Sequence, residues 1–205
     1  MPTSRLEAFS DGVFAIAITL LIIEVRPPDS APDELAGDLV SIWPSYAAYV
    51  VSFTVIGIIW VNHHQVFAGI TAVDRPLLFL NLVLLLTVAF LPFPTALLGE
   101  YIRDGDNAHI AAAVYGANMT LIGLAFIVVW SYLARVPSLL APEIGAEGAR
   151  RARRAAMIGP VAYGLTIPLA FVSPVACLVV YAGLALYFAI AYTVAGRGDE
   201  VPDSL

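Results

Sequence analysis

Arg5-Leu6-Glu7-Ala8-Phe9-Ser10-Asp11-Gly12-Val13-Phe14-Ala15-Ile16-Ala17-Ile18-Thr19-Leu20-Leu21-Ile22-Ile23-Glu24 is the stretch whose reading decides the fold. Between Gly12 and Ile23 only Thr19 carries a polar side chain. In hydrocarbon every backbone N–H and C=O must be paired within the segment, so a run of this kind is read as a membrane-spanning helix. Residues 12–25 also have the length of a secretory signal core, but Glu7 and Asp11 oppose the basic leader such a signal needs. Glu24-Val25-Arg26-Pro27-Pro28-Asp29 is a poor cleavage site, and the segment is retained as the first span.

Working outward, similar runs recur along the chain. We expect six spans, at residues 8–25, 39–67, 77–98, 110–133, 155–172 and 175–195, forming a single all-α, polytopic membrane domain over 1–205. Only Ser173-Pro174 divides the last two, and Pro160, Pro168 and Pro174 leave a re-entrant hairpin open as the alternative there. Composition agrees: 60% of residues are hydrophobic and 13% charged, with a mean hydropathy of +0.86, where soluble domains carry about 25% charge. Every basic residue is arginine, the net charge is −6, and no basic face suited to nucleic acid is present. The single Cys177 excludes an internal disulfide and a cysteine-based metal site.

Orientation follows from the arginines, which collect in cytoplasmic loops. With both termini cytoplasmic, Arg5, Arg75, Arg135, Arg150, Arg151, Arg153, Arg154 and Arg197 lie inside and only Arg26 and Arg103 outside. The outer loops hold Asp29, Asp33, Glu34, Asp38, Glu100, Asp104 and Asp106, which either enrich cations at an outer mouth or are plain solvated loops. The run Arg150-Arg151-Ala152-Arg153-Arg154 is read as a topology determinant near anionic lipid head groups.

Asp11 lies about a turn from the hydrocarbon and needs a partner or water, unless Ser10 or Asp11 simply caps the helix start. The second span runs back to the same depth, bringing Trp60, Asn62, His63, His64 and Gln65 near its cytoplasmic end. A hydrogen-bonded network of Arg5, Ser10, Asp11, Trp60, Asn62 and a histidine is therefore expected across the helices. His63 and His64 diverge by about 100° on a helix and do not suit one metal, so no structural metal is expected. The third span holds Asn81 and the Phe90-Leu91-Pro92-Phe93-Pro94-Thr95 stretch, whose prolines predict a kink or stop. Gly116, Gly123 and Gly183 suit close packing of helices.

The motif Arg5-x-x-x-Phe9-Ser10-Asp11 with the apolar run after it resembles the signature first helix of the TMEM175 potassium-channel family in its bacterial form. Trp60-Val61-Asn62-His63-His64 and Phe90-Leu91-Pro92 resemble that family's second and third helices. The resemblance implies a potassium-selective cation channel without a P-loop filter, assembled as a homotetramer in a bacterial cell membrane, with first helices lining the pore. It places the pore positions at Ile16, Thr19 and Ile23, with Arg5, Phe9, Ser10, Asp11, Trp60, Asn62, His63 and His64 holding the assembly near the cytoplasmic side. Spacing of i, i+3 and i+7 puts Ile16, Thr19 and Ile23 on one helical face, though Leu20 and Ile22 remain open on periodicity alone. The expectation is that Ile16 and Ile23 gate by dewetting and that Thr19 hydroxyls contribute selectivity, with potassium as permeant and no cofactor. The rival is a proton-permeable channel or secondary transporter using Asp11, His63 and His64 as a relay. A membrane enzyme is disfavoured, because no nucleophile, base and acid converge.

Overall fold

The structure is a computed structural model and describes residues 3–196; Arg197 lies outside the described residues. It is all-helical. Helix α1 (Thr3–Leu20) continues as a 3₁₀ turn (Leu21–Glu24) and stops before Pro27-Pro28, which cannot extend it. A short α2 (Leu35–Ser41) precedes α3 (Trp43–Ala68), which carries Pro44 in its first turn, where a missing N–H costs no helical bond. Helix α4 (Arg75–Ala89) is capped by Asp74, whose Oδ1 accepts from the Leu77 N–H at 3.0 Å.

Pro92 has no N–H to give, so α4 ends and α5 (Pro92–Tyr101) begins after a break at Phe90-Leu91. Helix α6 (Gly105–Arg135) has 31 residues and is about 46 Å long, more than the hydrocarbon thickness of a bilayer. A 3₁₀ turn (Pro137–Leu139), α7 (Gly145–Ala156), α8 (Ile158–Ala170) and α9 (Pro174–Gly196) complete the described chain. Among the described residues four segments are long and apolar enough to cross a membrane: Thr3–Glu24, Trp43–Ala68, Arg75–Tyr101 and Gly105–Arg135.

Helix α6 is the spine, packing on α4, α5, α7 and α8, while α1 lies against α3 and α4, and α9 against α3 and α8. Two glycines allow the closest approaches. A β-carbon on Gly123 would fall 2.6 Å from Pro160 Cδ, and one on Gly116 would fall 2.6 Å from Thr166 Oγ1. Gly183, by contrast, has open space where a side chain would be.

Loop contacts fix which ends of the helices lie together. Thr71 N–H donates to Leu139 O at 2.9 Å and Ala141 N–H to Gly69 O at 3.0 Å, pairing the loops after α3 and α6 as an antiparallel bridge at Ile70 and Leu140. Tyr132 OH donates to Asp74 Oδ2 beside it. At the opposite end, Ser45 Oγ donates to Gly99 O at 3.4 Å and His109 Nδ1 bonds Ala170 O at 2.7 Å.

Candidate functional site: the first helix and its anchors

Helix α1 has two unlike faces. Leu6, Ser10, Phe14, Ala17 and, in the 3₁₀ turn, Leu21 are buried against the bundle, following the helical repeat. The opposite side is bare and mostly apolar, with Phe9 at 53%, Ile16 at 62% and Ile23 at 66% exposure. On a membrane-spanning helix a face of this kind meets lipid, a neighbouring subunit or a passage, and Phe79 at 69% and Leu86 at 70% on α4 are as bare.

One chain of hydrogen bonds holds the buried face. Ser10 Oγ donates to Leu6 O at 2.9 Å and accepts from Asn81 Nδ2 at 3.0 Å. Asn81 Oδ1 in turn lies 2.8 Å from His63 Nε2, so the ring nitrogen is the donor. Ser10, Asn81 and His63 are all buried, and each side chain has a hydrogen-bond partner, as a low-dielectric interior favours. The His63 ring lies edge-on to Phe14 at 5.2 Å and stacks on Phe67 at 4.3 Å. A second tie is exposed: Trp60 Nε1 donates to Asp11 Oδ1 at 2.8 Å, with the His64 ring stacked on Trp60 at 6.3 Å.

The expected network therefore forms with different members. Asn62 is not among them: it is turned about 100° from both Trp60's neighbour Val61 and His63 and lines a cavity on the far side of α3. Asn81, set apart in the sequence only as a polar residue in the third span, stands where Asn62 was expected. Arg5 and Phe9 are exposed, and Arg5 has no ion pair among the described residues. The relay residues are not bonded to one another, since Asp11 bonds Trp60 and His63 bonds Asn81.

Ile16, Thr19 and Ile23 are all exposed, on the bare side of the helix. Thr19 Oγ1 donates back to Ala15 O at 2.8 Å and Ile16 O at 3.0 Å, so its proton is engaged along the helix and its remaining lone pairs are free to face outward. The 3₁₀ winding alters the outer end. At 120° per residue instead of 100°, Ile23 turns about 60° from its α-helical direction and eclipses Leu20. Leu20 and Ile22 are exposed with it, so the outer apolar patch is wider than a strict i, i+7 stripe.

A second buried cluster, not anticipated from the sequence, sits midway along the bundle. Thr95 Oγ1 lies 2.8 Å from Ser52 Oγ, which is 3.1 Å from Tyr115 OH. The Tyr115 ring packs on that of Tyr181 at 4.6 Å; Tyr181 OH donates to Ala112 O at 2.9 Å and lies 3.2 Å from Thr166 Oγ1. Five helices are joined here: α3, α5, α6, α8 and α9.

Comparison with known proteins adds to this geometry. The family described as "Endosomal/lysosomal potassium channel TMEM175" matches residues 5–92, the part that carries the bare helix face and its anchors. A potassium channel of Streptomyces collinus is 51% identical over 187 residues, 91% of each chain. The chain belongs to the TMEM175 family. A potassium channel of Chamaesiphon minutus is 40% identical, over 92% of this chain and 94% of its own. The crystal structure of a lysosomal potassium-selective channel TMEM175 homolog from that organism superposes with a TM-score of 0.82 at 38% identity, covering 92% of this chain and 97% of the other. TMEM175 proteins are ion channels and not enzymes, and this chain is a multi-pass membrane protein with the TMEM175 channel fold.

Proposed function

We propose that the chain is the subunit of a potassium-selective channel whose pore is lined by α1 from each subunit of a homotetramer. The observation that carries this is the exposed apolar face of α1 in a chain so close, over nearly its whole length, to proteins named potassium channels. Four copies around an axis would turn Ile16, Thr19 and Ile23 inward as stacked rings. Isoleucine rings give an ion no ligand, so a narrow ring excludes water and closes the pore until it widens. The Thr19 ring supplies oxygens where the hydration shell is thinnest, and potassium sheds water at lower cost than sodium.

On this reading the chain crosses the membrane six times, in a bacterial plasma membrane, with both termini cytoplasmic. Helix α8 alone is only about 20 Å long, but apolar Met157, Phe171 and Val172 at its ends extend the crossing. Arg5, Arg75, Arg135 and the arginines of α7 then share the cytoplasmic end, opposite Arg26 and Arg103. Arg5, Phe9 and Asp11, exposed on one chain, face the adjoining subunit.

The test is potassium efflux from liposomes loaded with potassium or sodium, read against empty vesicles. Wild type is expected to pass potassium selectively, Ile23→Asn to pass more ions, and Thr19→Val to lower the potassium-to-sodium ratio. Folded, assembled protein that gives no flux above empty vesicles would overturn the channel reading, and an unchanged ratio for Thr19→Val would remove its selectivity role.

A further inference from the structure

A cavity of about 330 Å³, inside the ~300–1,000 Å³ range of ligand sites, opens between α3, α6, α7, α8 and α9. One end is apolar, at Val55, Met119 and Tyr163, near mid-bundle. From there it follows α3 for about 15 Å to Asn62 and Gln65, with Trp130 across from them. No carboxylate lines it, and none of these three polar side chains has a hydrogen-bond partner among the described residues. Gly159 contributes to the space by lacking a side chain: a β-carbon there would meet nothing within 4 Å.

Helix α7, which borders the cavity, carries four arginines. Ala152, Ala155 and Ala156 of α7 face the cavity, and at 100° per residue Arg151 and Arg153 flank Ala152 by about 100° on either side. Arg150 and Arg154 fall on the far face, where Arg150 pairs with Glu147 at 3.3 Å. Arg151 and Arg153 have no such carboxylate among the described residues.

An apolar slot between helices, with three unpaired donors at one end and two arginines free of ion pairs on the helix that borders it, has the shape and charge of one ligand class. We propose that this cavity holds an acyl chain of an anionic phospholipid, with Asn62, Gln65 and Trp130 meeting its glycerol and ester oxygens and Arg151 and Arg153 its phosphate. The proposal rests only on the chain crossing a bilayer, and holds whatever ion the protein passes.

Native mass spectrometry of the full-length assembly, titrated with dioleoyl phosphatidylglycerol and separately with dioleoyl phosphatidylcholine, reads both bound lipid and subunit number. Wild type is expected to retain phosphatidylglycerol preferentially. Arg151→Gln with Arg153→Gln should cut that retention by about fivefold per arginine, and Arg150→Gln with Arg154→Gln by less than about twofold. Gly159→Leu fills the slot with a better helix former and should abolish retention of both lipids while the protein stays folded. Wild-type retention by Gly159→Leu, or equal losses for the two arginine pairs, would overturn the site. A drop in subunit number for Gly159→Leu with lipid retention intact would also overturn it, and would assign the cavity to a neighbouring copy.

Discussion

The two buried polar clusters of this bundle do different jobs. The one around Tyr115 and Tyr181 is closed on itself, joining five helices through hydroxyls at mid-bundle. The one around Asn81 has three residues and fastens a single helix, α1, along one edge, leaving the other side of that helix bare. On the proposed reading α1 borders a pore, and such a helix needs one-sided attachment. The scaffold behind it is locked from several directions, and the contrast separates what must be rigid from what must be presented.

The contrast can be broken from either side, and the largest loss is expected in the scaffold. Gly116→Val drives a branched side chain into Thr166 Oγ1 and Tyr181 OH, which would lie 2.6 and 2.9 Å from its β-carbon. It should cost about 3 kcal/mol and scatter the assembly, read by thermal unfolding and size-exclusion chromatography in detergent. Asn81→Leu leaves His63 Nε2–H and the Ser10 hydroxyl without their shared partner. A cost of about 2 kcal/mol is expected, and because α1 loses its anchor, the liposome flux should change as well. Tyr115→Phe removes one hydroxyl from the larger cluster at about 1 kcal/mol, with flux unchanged. Equal flux changes from the last two variants would abolish the distinction between anchor and scaffold. Smallest is Trp60→Phe, which deletes an exposed bond to Asp11 and should move the melting temperature by less than about 2 °C.

The two clusters also differ in how legible they were. Asp11 and Trp60 met as expected because charged and indole groups near hydrocarbon demand partners, and antiparallel spans bring them to one depth. Ser10 and His63 stand out in the sequence for the same reason, but depth says nothing about rotation, so Asn62 is as good a candidate on sequence as the Asn81 that fills the place. The tyrosine cluster gave no warning. Ser52, Thr95, Thr166, Tyr115 and Tyr181 are ordinary in membrane helices, and only the structure shows them converging; Gly116, read as a packing residue, was the one hint. The arginine run was legible as charge, whereas its winding into α7 depended on alanines at 149, 152, 155 and 156 that face inward or line a cavity. Pro92 did divide the third segment, by interrupting the helix at Phe90-Leu91, with α5 resuming the ascent.

The 3₁₀ turn at the outer end of α1 has a consequence in height as well as direction. Four residues wound at about 2.0 Å per residue climb about 8 Å, against about 6 Å in an α-helix. Leu21, fully buried, pins the start of that turn. The level of Ile23 above Thr19 is therefore set by local winding, and rewinding the turn would lower the upper side chain by about 1.5 Å with the rest of the subunit standing still.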